Sequence, residues 1–241
     1  MENAKQITVI VPIRKFDEEV STLLEKAVES VDKTLCDIIF VGPNDVLLNV
    51  KDKYEDVSLV VNNESTDVFS QINKAVLQCF TPYFTVLEYD DACLPTGWKL
   101  MPSEMDKNAI TLSLVELKEK GVFKRFANEI MWDVAFVGEN GVVGYITEDE
   151  LKTFGDFNVT GAIIKTEDFM SLGRLNPEFK VLAWYEFLMR AAKQGKFIYV
   201  FPRVCYSHTI RREGSYMMVS KDEITREELT ELLNKILPPT D

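Results

Sequence analysis

Residues Thr66 to Trp98 read TDVFSQINKAVLQCFTPYFTVLEYDDACLPTGW. A helix is expected from near Thr66, a favoured N-cap, with Val68, Ile72, Ala75, Val76 and Cys79 on its inner face. Thr81-Pro82 ends it, because the residue before a proline is pushed out of the helical region. Tyr83 to Leu87 (YFTVL) then reads as a buried strand that runs straight into Glu88-Tyr89-Asp90-Asp91. In open α/β sheets, ligands bind beyond the carboxyl ends of the strands. Glu88 and Asp90 are two apart, so in an extended chain they point to the same side. Carboxylates converging at a strand end suit a hard divalent cation that bridges them to phosphate oxygens. By spacing alone, the same run also describes a solvated acidic loop.

Upstream the chain alternates strand and helix. Ile7 to Val11 is a β-branched run closed by Pro12, and Val20, Leu23, Leu24, Ala27, Val28, Val31 and Leu35 recur at helical spacing. Ile38 to Val41 is a second strand, stopped by the turn signal Gly42-Pro43-Asn44-Asp45, and after a polar, ill-defined piece Ser58 to Val61 is a third. Such repeats imply right-handed crossovers and a parallel sheet. Downstream, Ala109 to Leu117 reads as a strand. Asp133 to Val137 and Val142 to Thr147 flank Glu139-Asn140-Gly141, a hairpin turn. Phe157 to Ile164 is strand-like, Trp184 to Ala192 is a helix ended by Gly195, and Lys196 to Phe201 is a last strand. A final helix opens at the capping-box spacing Ser220 to Glu223 and stops at Pro238-Pro239. The expected architecture is one α/β, Rossmann-like domain over residues 1–241. Its central sheet is mixed and mostly parallel with helices on both faces, a β-hairpin insertion at about 133–147 and a C-terminal helix over 220–237.

The 241 residues carry 27 Lys+Arg against 39 Asp+Glu, a net charge of −12, with 46% hydrophobic and 27% charged residues. This is ordinary globular composition and excludes wholesale disorder, collagen and coiled coil. Nucleic-acid binding is disfavoured, since phosphate backbones take concentrated Lys and Arg. No stretch approaches the roughly 18–20 apolar residues of a membrane span, and the polar start Met1 to Gln6 is unlike a signal peptide. Cys36, Cys79, Cys93 and Cys205 form no CxxC pair and read as buried thiols in a reducing, cytoplasmic setting. His208 is the sole histidine, too few partners for a Cys/His zinc cage.

Over roughly residues 7–120 and 157–216 the sequence resembles the family 2 glycosyltransferases of the GT-A fold. The resemblance rests on Val9 to Pro12 (VIVP); on Asn73, Tyr83 and Glu88-Tyr89-Asp90-Asp91 with Pro95; on Val159 to Phe179 (VTGAIIKTEDFMSLGRLNPEF); on Tyr185 to Gly195 (YEFLMRAAKQG); and on Tyr206 to Ser215 (YSHTIRREGS). It implies a nucleotide-diphosphate sugar at the carboxyl edge of the sheet. Residues 1–100 would form the donor half and 101–216 the acceptor half. Asp90, with Asp91 and Glu88, would hold Mn²⁺ or Mg²⁺ against the diphosphate. Pro12, Asn44 and Asp45 would line the nucleoside pocket, Asn73 falls on the family's helix position, and His208, Arg211 and Arg212 would meet the diphosphate.

The sequence departs from the family pattern at four places. Gly42-Pro43-Asn44-Asp45 replaces an acidic turn, Ile72 replaces an Arg, and Glu88 replaces an Asp. The fourth is Ala183-Trp184, which stands where the family carries a Glu-Asp pair supplying the general base. Trp184 reads as core or as a stacking platform for an acceptor. Glu186 is the nearest carboxylate, but two residues along a helix turn it away by about 200°. Three functions follow. The first is a metal-dependent glycosyltransferase acting on an unknown acceptor. The second is a catalytically degenerate scaffold of the same fold, suited to a larger assembly. The third is a nucleotidyltransferase, ranked last because Pro12-Ile13-Arg14-Lys15 is no glycine-rich phosphate loop.

Overall fold

Ile7–Pro12 (β1) is buried from end to end, as a strand covered on both faces must be. In the computed structural model, which describes residues 5–100, 102–138, 141–210 and 224–237, β1 sits within the parallel half of a nine-stranded sheet. Cys36–Gly42 (β2), Ser58–Val61 (β3) and Tyr83–Val86 (β4) complete that half, with Val9 of β1 opposite both Ile38 and Thr85. Glu18–Glu29 (α1), Asn44–Lys51 (α2) and Val68–Val76 (α3) are the crossovers. The Asp17 carboxylate accepts the Val20 N–H at 2.8 Å and starts α1, whose Val20, Leu24, Ala27 and Val28 are buried. α3 is capped by Asp67 rather than Thr66: the Asp67 carboxylate accepts the Ser70 N–H at 2.7 Å, the stronger partner for a positive helix end. The segment after Gly42-Pro43, expected to be irregular, is α2; the Asn63 side chain accepts the Asn44 N–H at 2.9 Å and opens it.

The second half is mixed. Its strands are Ala92–Cys93 (β5), Ile110–Glu119 (β6), Val122–Ala127 (β7), Ile163–Lys165 (β8) and Ile198–Ile210 (β9). The sheet order is β3-β2-β1-β4-β8-β6-β9-β5, with β7 paired to β6. β8 is antiparallel to β4 and β6, β9 is parallel to β6, and β5 is antiparallel to β9. The helices are Pro95–Trp98 (α4), Pro102–Met105 (α5), Val134–Val137 (α6), Glu148–Thr153 (α7), Thr166–Ser171 (α8), Ala183–Lys193 (α9) and Arg226–Ile236 (α10).

Among the described residues of 133–147 no hairpin pairing forms, and Glu139 and Asn140 of the expected turn lie outside them. Asp133 caps the single-turn α6 by accepting the Ala135 N–H at 2.9 Å, and Val134 and Val142 are exposed rather than paired. The hairpin is β6–β7, turned by Lys120 and Gly121 with φ of 51° and 77°. Two successive left-handed residues are what a two-residue hairpin requires. Of the strand expected over Phe157 to Ile164, only Ile163–Lys165 pairs, and β9 runs nine residues beyond the expected end at Phe201 to Ile210. The capping box at Ser220 to Glu223 lies outside the described residues; α10 is capped by Thr225 and Glu228.

Core side chains pack on both faces of the sheet. Ile10, Phe84, Val86, Ile110 and Leu112 meet α3, α8 and α9 on one face, and Val9, Val11 and Phe40 meet α1 and α2 on the other. The cysteines are unpaired thiols, and burial pushes Cys36 and Cys205 up to about 12, out of reactive range. No helix among the described residues is long and apolar enough to cross a membrane.

Gly161 has φ of +74°, and a Cβ there would lie 2.3 Å from the Tyr206 ring. Gly161→Ala should therefore cost about 2–4 kcal/mol by urea denaturation, from strain and overpacking together. Gly121→Ala, at φ of +77° but facing open space, should cost only about 1–2 kcal/mol. Equal losses would contradict a close Gly161–Tyr206 contact.

Candidate active site at the carboxyl end of β4

Past Val86 the chain leaves β4 through Leu87, whose N–H still reaches the Ile10 carbonyl at 2.9 Å, and turns at Glu88 to Asp91. β9 supplies the other side. Asp91 Oδ2 accepts from the Tyr206 hydroxyl and from His208 Nδ1, each at 2.9 Å, and Oδ1 accepts the Thr209 N–H at 2.7 Å. The Tyr206 hydroxyl in turn accepts the Glu88 N–H at 3.1 Å. The Asp91 side chain is fully buried. An ionised carboxylate only accepts, so Nδ1 of His208 carries a hydrogen and Nε2 is the nitrogen a ligand would meet.

Above this turn lies a cavity of about 700 Å³, within the usual range for small-molecule sites. Glu88, Asp90, Arg14 and His208 line it at the strand ends, and Val68, Phe69, Ile72 and Val86 make an apolar wall. The loop 155–160, Trp184 and Tyr185 from the first turn of α9, and Arg226 of α10 also line it. A second groove of about 690 Å³, between residues 137–150 and 192–198, is lined mainly by apolar chains. Its Glu150 caps α7 and its Lys196 is paired with Asp168 at 2.6 Å, so it offers no comparable chemistry.

Burial, reinforced by the Asp91 and Asp90 charges, pushes Glu88 up to about 7 from an ordinary 4.5. Burial alone would lower His208, but its hydrogen bond to Asp91 and the surrounding carboxylates outweigh that and hold it up at about 8. Among the described residues, no three His, Cys, Asp or Glu side chains converge as a ready-made cation cage. With both Asp91 oxygens engaged, Glu88 and Asp90 are the strand-end carboxylates on the cavity wall.

The residues singled out in the sequence fall into separate places. Glu88, Asp90 and His208 come together in the cavity, and Asp91 lies directly beneath them. Pro12 is buried at the end of β1, and Asn44 and Asp45 open α2; none of the three lines the cavity. Asn73 grips main chain instead: its Nδ2 donates to the Leu175 carbonyl at 2.8 Å and its Oδ1 accepts the Leu175 N–H at 3.1 Å. Glu186 is bound by Arg190 at 2.6 and 2.8 Å, and Arg190 also donates to the carbonyls of Leu172 and Arg174. Glu186 therefore locks α9 to the loop before it and does not reach the cavity. Ala183 is buried, while Trp184 is half-buried, edge-on to Phe187 and part of the wall, so it serves core and cavity together. Arg211 and Arg212 lie outside the described residues. Sequence reasoning gave no role to Arg14 or Tyr206. Arg14 follows a buried strand on the same carboxyl edge as Glu88, a signal that was available; Tyr206 needed the long β9.

Both perturbed groups bind protons more tightly in the folded chain, so their stabilisation is present at low pH and lost as pH rises. Glu88's share fades as pH passes from 4.5 through about 7, and His208's from 6.5 through about 8. In metal-free buffer, unfolding free energy should decline between about pH 5 and 8.5, and Glu88→Gln combined with Asp91→Asn should flatten the slope. An unchanged slope in the double variant would contradict this account.

The sequence matches no protein-family profile and no curated protein. Solved structures do match. S. aureus TarS 1–349 has a TM-score of 0.67 at 16% identity, covering 96% of this chain and 64% of that one. The same fragment in complex with UDP-GlcNAc has a TM-score of 0.69 at 18% identity, covering 96% and 65%. In complex with UDP it has a TM-score of 0.61 at 17% identity, covering 95% and 71%. The chain thus spans 64% of the first of these structures. At such identities the likeness is one of fold, and the chain has the mixed α/β, GT-A-like fold that its sequence resemblance implied.

Proposed function

We propose that the protein moves a sugar from a nucleotide-diphosphate sugar to an acceptor, with Mn²⁺ or Mg²⁺ as cofactor. One observation carries the proposal. A single cavity at the carboxyl end of β4 sets Glu88 and Asp90 beside Arg14 and His208, in a chain folded like a protein crystallised with UDP-GlcNAc and with UDP. Carboxylates alone would repel a diphosphate, and cations alone would not seat a metal. The mixture suits a diphosphate carried with its own divalent cation, which takes one or two protein carboxylates and fills its remaining positions from phosphate oxygens and water. Asp90, with Glu88, would hold that ion; bound there, it would offset the charge that develops on the departing diphosphate.

The protein's own groups do the rest. Arg14 and His208 Nε2 present donors to phosphate oxygens, and Asp91 keeps the His208 ring turned for that task. The apolar wall of Val68, Phe69 and Ile72 takes the nucleoside, in place of the Pro12, Asn44 and Asp45 set outside the cavity. The acceptor enters along Trp184 and the 155–160 loop.

A second reading, the degenerate scaffold, is favoured by the first turn of α9, where Ala183 is buried and Glu186 is tied to Arg190. Melting with UDP and Mn²⁺ separates the two readings. A transferase should show a saturable rise in Tm, and Asp90→Asn should lose the Mn²⁺-dependent part and slow UDP release from UDP-sugars by on the order of 100-fold. No shift with any nucleoside diphosphate, and no difference between wild type and Asp90→Asn, would leave the scaffold reading standing. Release of pyrophosphate instead would identify a nucleotidyltransferase.

A further inference from the structure

Glycosyl transfer to a hydroxyl has a fixed proton balance. As the acceptor oxygen bonds to the anomeric carbon and the bond from that carbon to the diphosphate breaks, the diphosphate leaves with the electron pair and the hydroxyl proton must go to a base. Among the described residues, three carboxylates line the cavity: Glu88, Asp90 and Asp156. The first two stand at the strand ends, on the diphosphate side. Among the other polar groups, the Tyr185 hydroxyl donates to the Leu151 carbonyl at 2.9 Å, and His208 is tied to Asp91.

Asp156 comes from the 155–160 loop. It follows Gly155, where a Cβ would lie 3.5 Å from the Tyr185 ring, so this part of the loop rests on the first turn of α9 beside Trp184. The loop is held by a buried clamp. Asn128 Oδ1 accepts the Asn158 N–H at 2.9 Å, and its Nδ2 donates to the Asn158 and Ser113 carbonyls at 2.9 and 2.8 Å. Asn128 adopts φ of 68° to make these contacts, a left-handed conformation that asparagine tolerates. Gly161 N–H then returns to the Val86 carbonyl of β4 at 3.3 Å. The Asp156 carboxylate is thus mounted two residues from a fixed point, at the cavity mouth, with its side chain 84% exposed. Its described ion-pair partner is Arg125 at 3.7 Å, an exposed and long pair of the kind that contributes little and yields readily.

We propose that Asp156, carried by the 155–160 loop rather than by the turn that holds Glu88 and Asp90, is the general base of the transfer and takes the proton of the acceptor hydroxyl. The assignment rests on the transferase reading given above. It puts the base on a loop rather than on the first turn of α9, where Ala183 and Trp184 cannot accept a proton.

Slow hydrolysis of UDP-GlcNAc tests it without knowledge of the acceptor, because water then needs the same base. With Mn²⁺ present, Asp156→Asn should bind UDP as tightly as wild type but release it from UDP-GlcNAc about 10²–10⁴-fold more slowly. Formate should restore turnover to Asp156→Ala. Wild-type rates in Asp156→Asn would overturn the assignment, as would losses of binding and rate in parallel. A wild type that binds UDP and releases none would overturn the base and leave the donor reading intact. A wild type that binds no UDP would overturn both.

Discussion

The buried carboxylate of Asp91 is the point on which the site depends. It takes hydrogen bonds from the Tyr206 hydroxyl, the His208 ring and the Thr209 main chain, and so fastens the turn after β4 to a strand from the far end of the sequence. A buried charge with fewer partners would be costly, and removing one partner would leave it uncompensated. Its saturation also decides roles among neighbouring acids. Asp91 organises, and Glu88 and Asp90 face the cavity.

Much of the first half was legible because its signals are local. β1, β2 and β4 are continuous apolar runs, and α1 and α3 show helical spacing with acidic caps. Glu88 and Asp90 were legible for the same reason, since a strand end places its next residues at the ligand edge. The second half was harder to read. Over 133–147 the β-branched residues include exposed Val134 and Val142 and buried Val137 and Ile146, on a single-turn helix and loop, where alternation does not report a strand. The true hairpin turns on Lys120-Gly121, which lacks the Asn-Gly or Asp-Gly signature. Asn73 and Glu186 occupy motif positions, yet their partners are Leu175 and Arg190; only the folded chain shows that both are fasteners.

The same division explains how an acidic protein can accommodate an anionic ligand. The overall charge of −12 is spread over the chain, and its local consequence is set by what stands beside each acid. At the strand ends, burial and the neighbouring carboxylate charges keep Glu88 partly protonated near neutrality, while the hydrogen bond to Asp91 and the surrounding carboxylates keep His208 charged against the effect of burial, so the turn presents less negative charge than its sequence suggests. Arg14 adds a cation from the end of β1. The turn therefore presents cationic and carboxylate groups side by side to the cavity.

The pairing of β6 with β9 bears on how the cavity is assembled. Residues 110–119 and 198–210 lie far apart in sequence and run parallel, so the intervening chain must be closed into a loop before any of their contacts is rewarded. β9 carries Tyr206 and His208, which makes the cavity a product of long-range pairing. The β1–β4 half joins residues closer in sequence and can take shape earlier on the folding path. A chain arrested at that stage would be ordered over much of its first ninety residues and would hold its acidic turn without the strand that orders it.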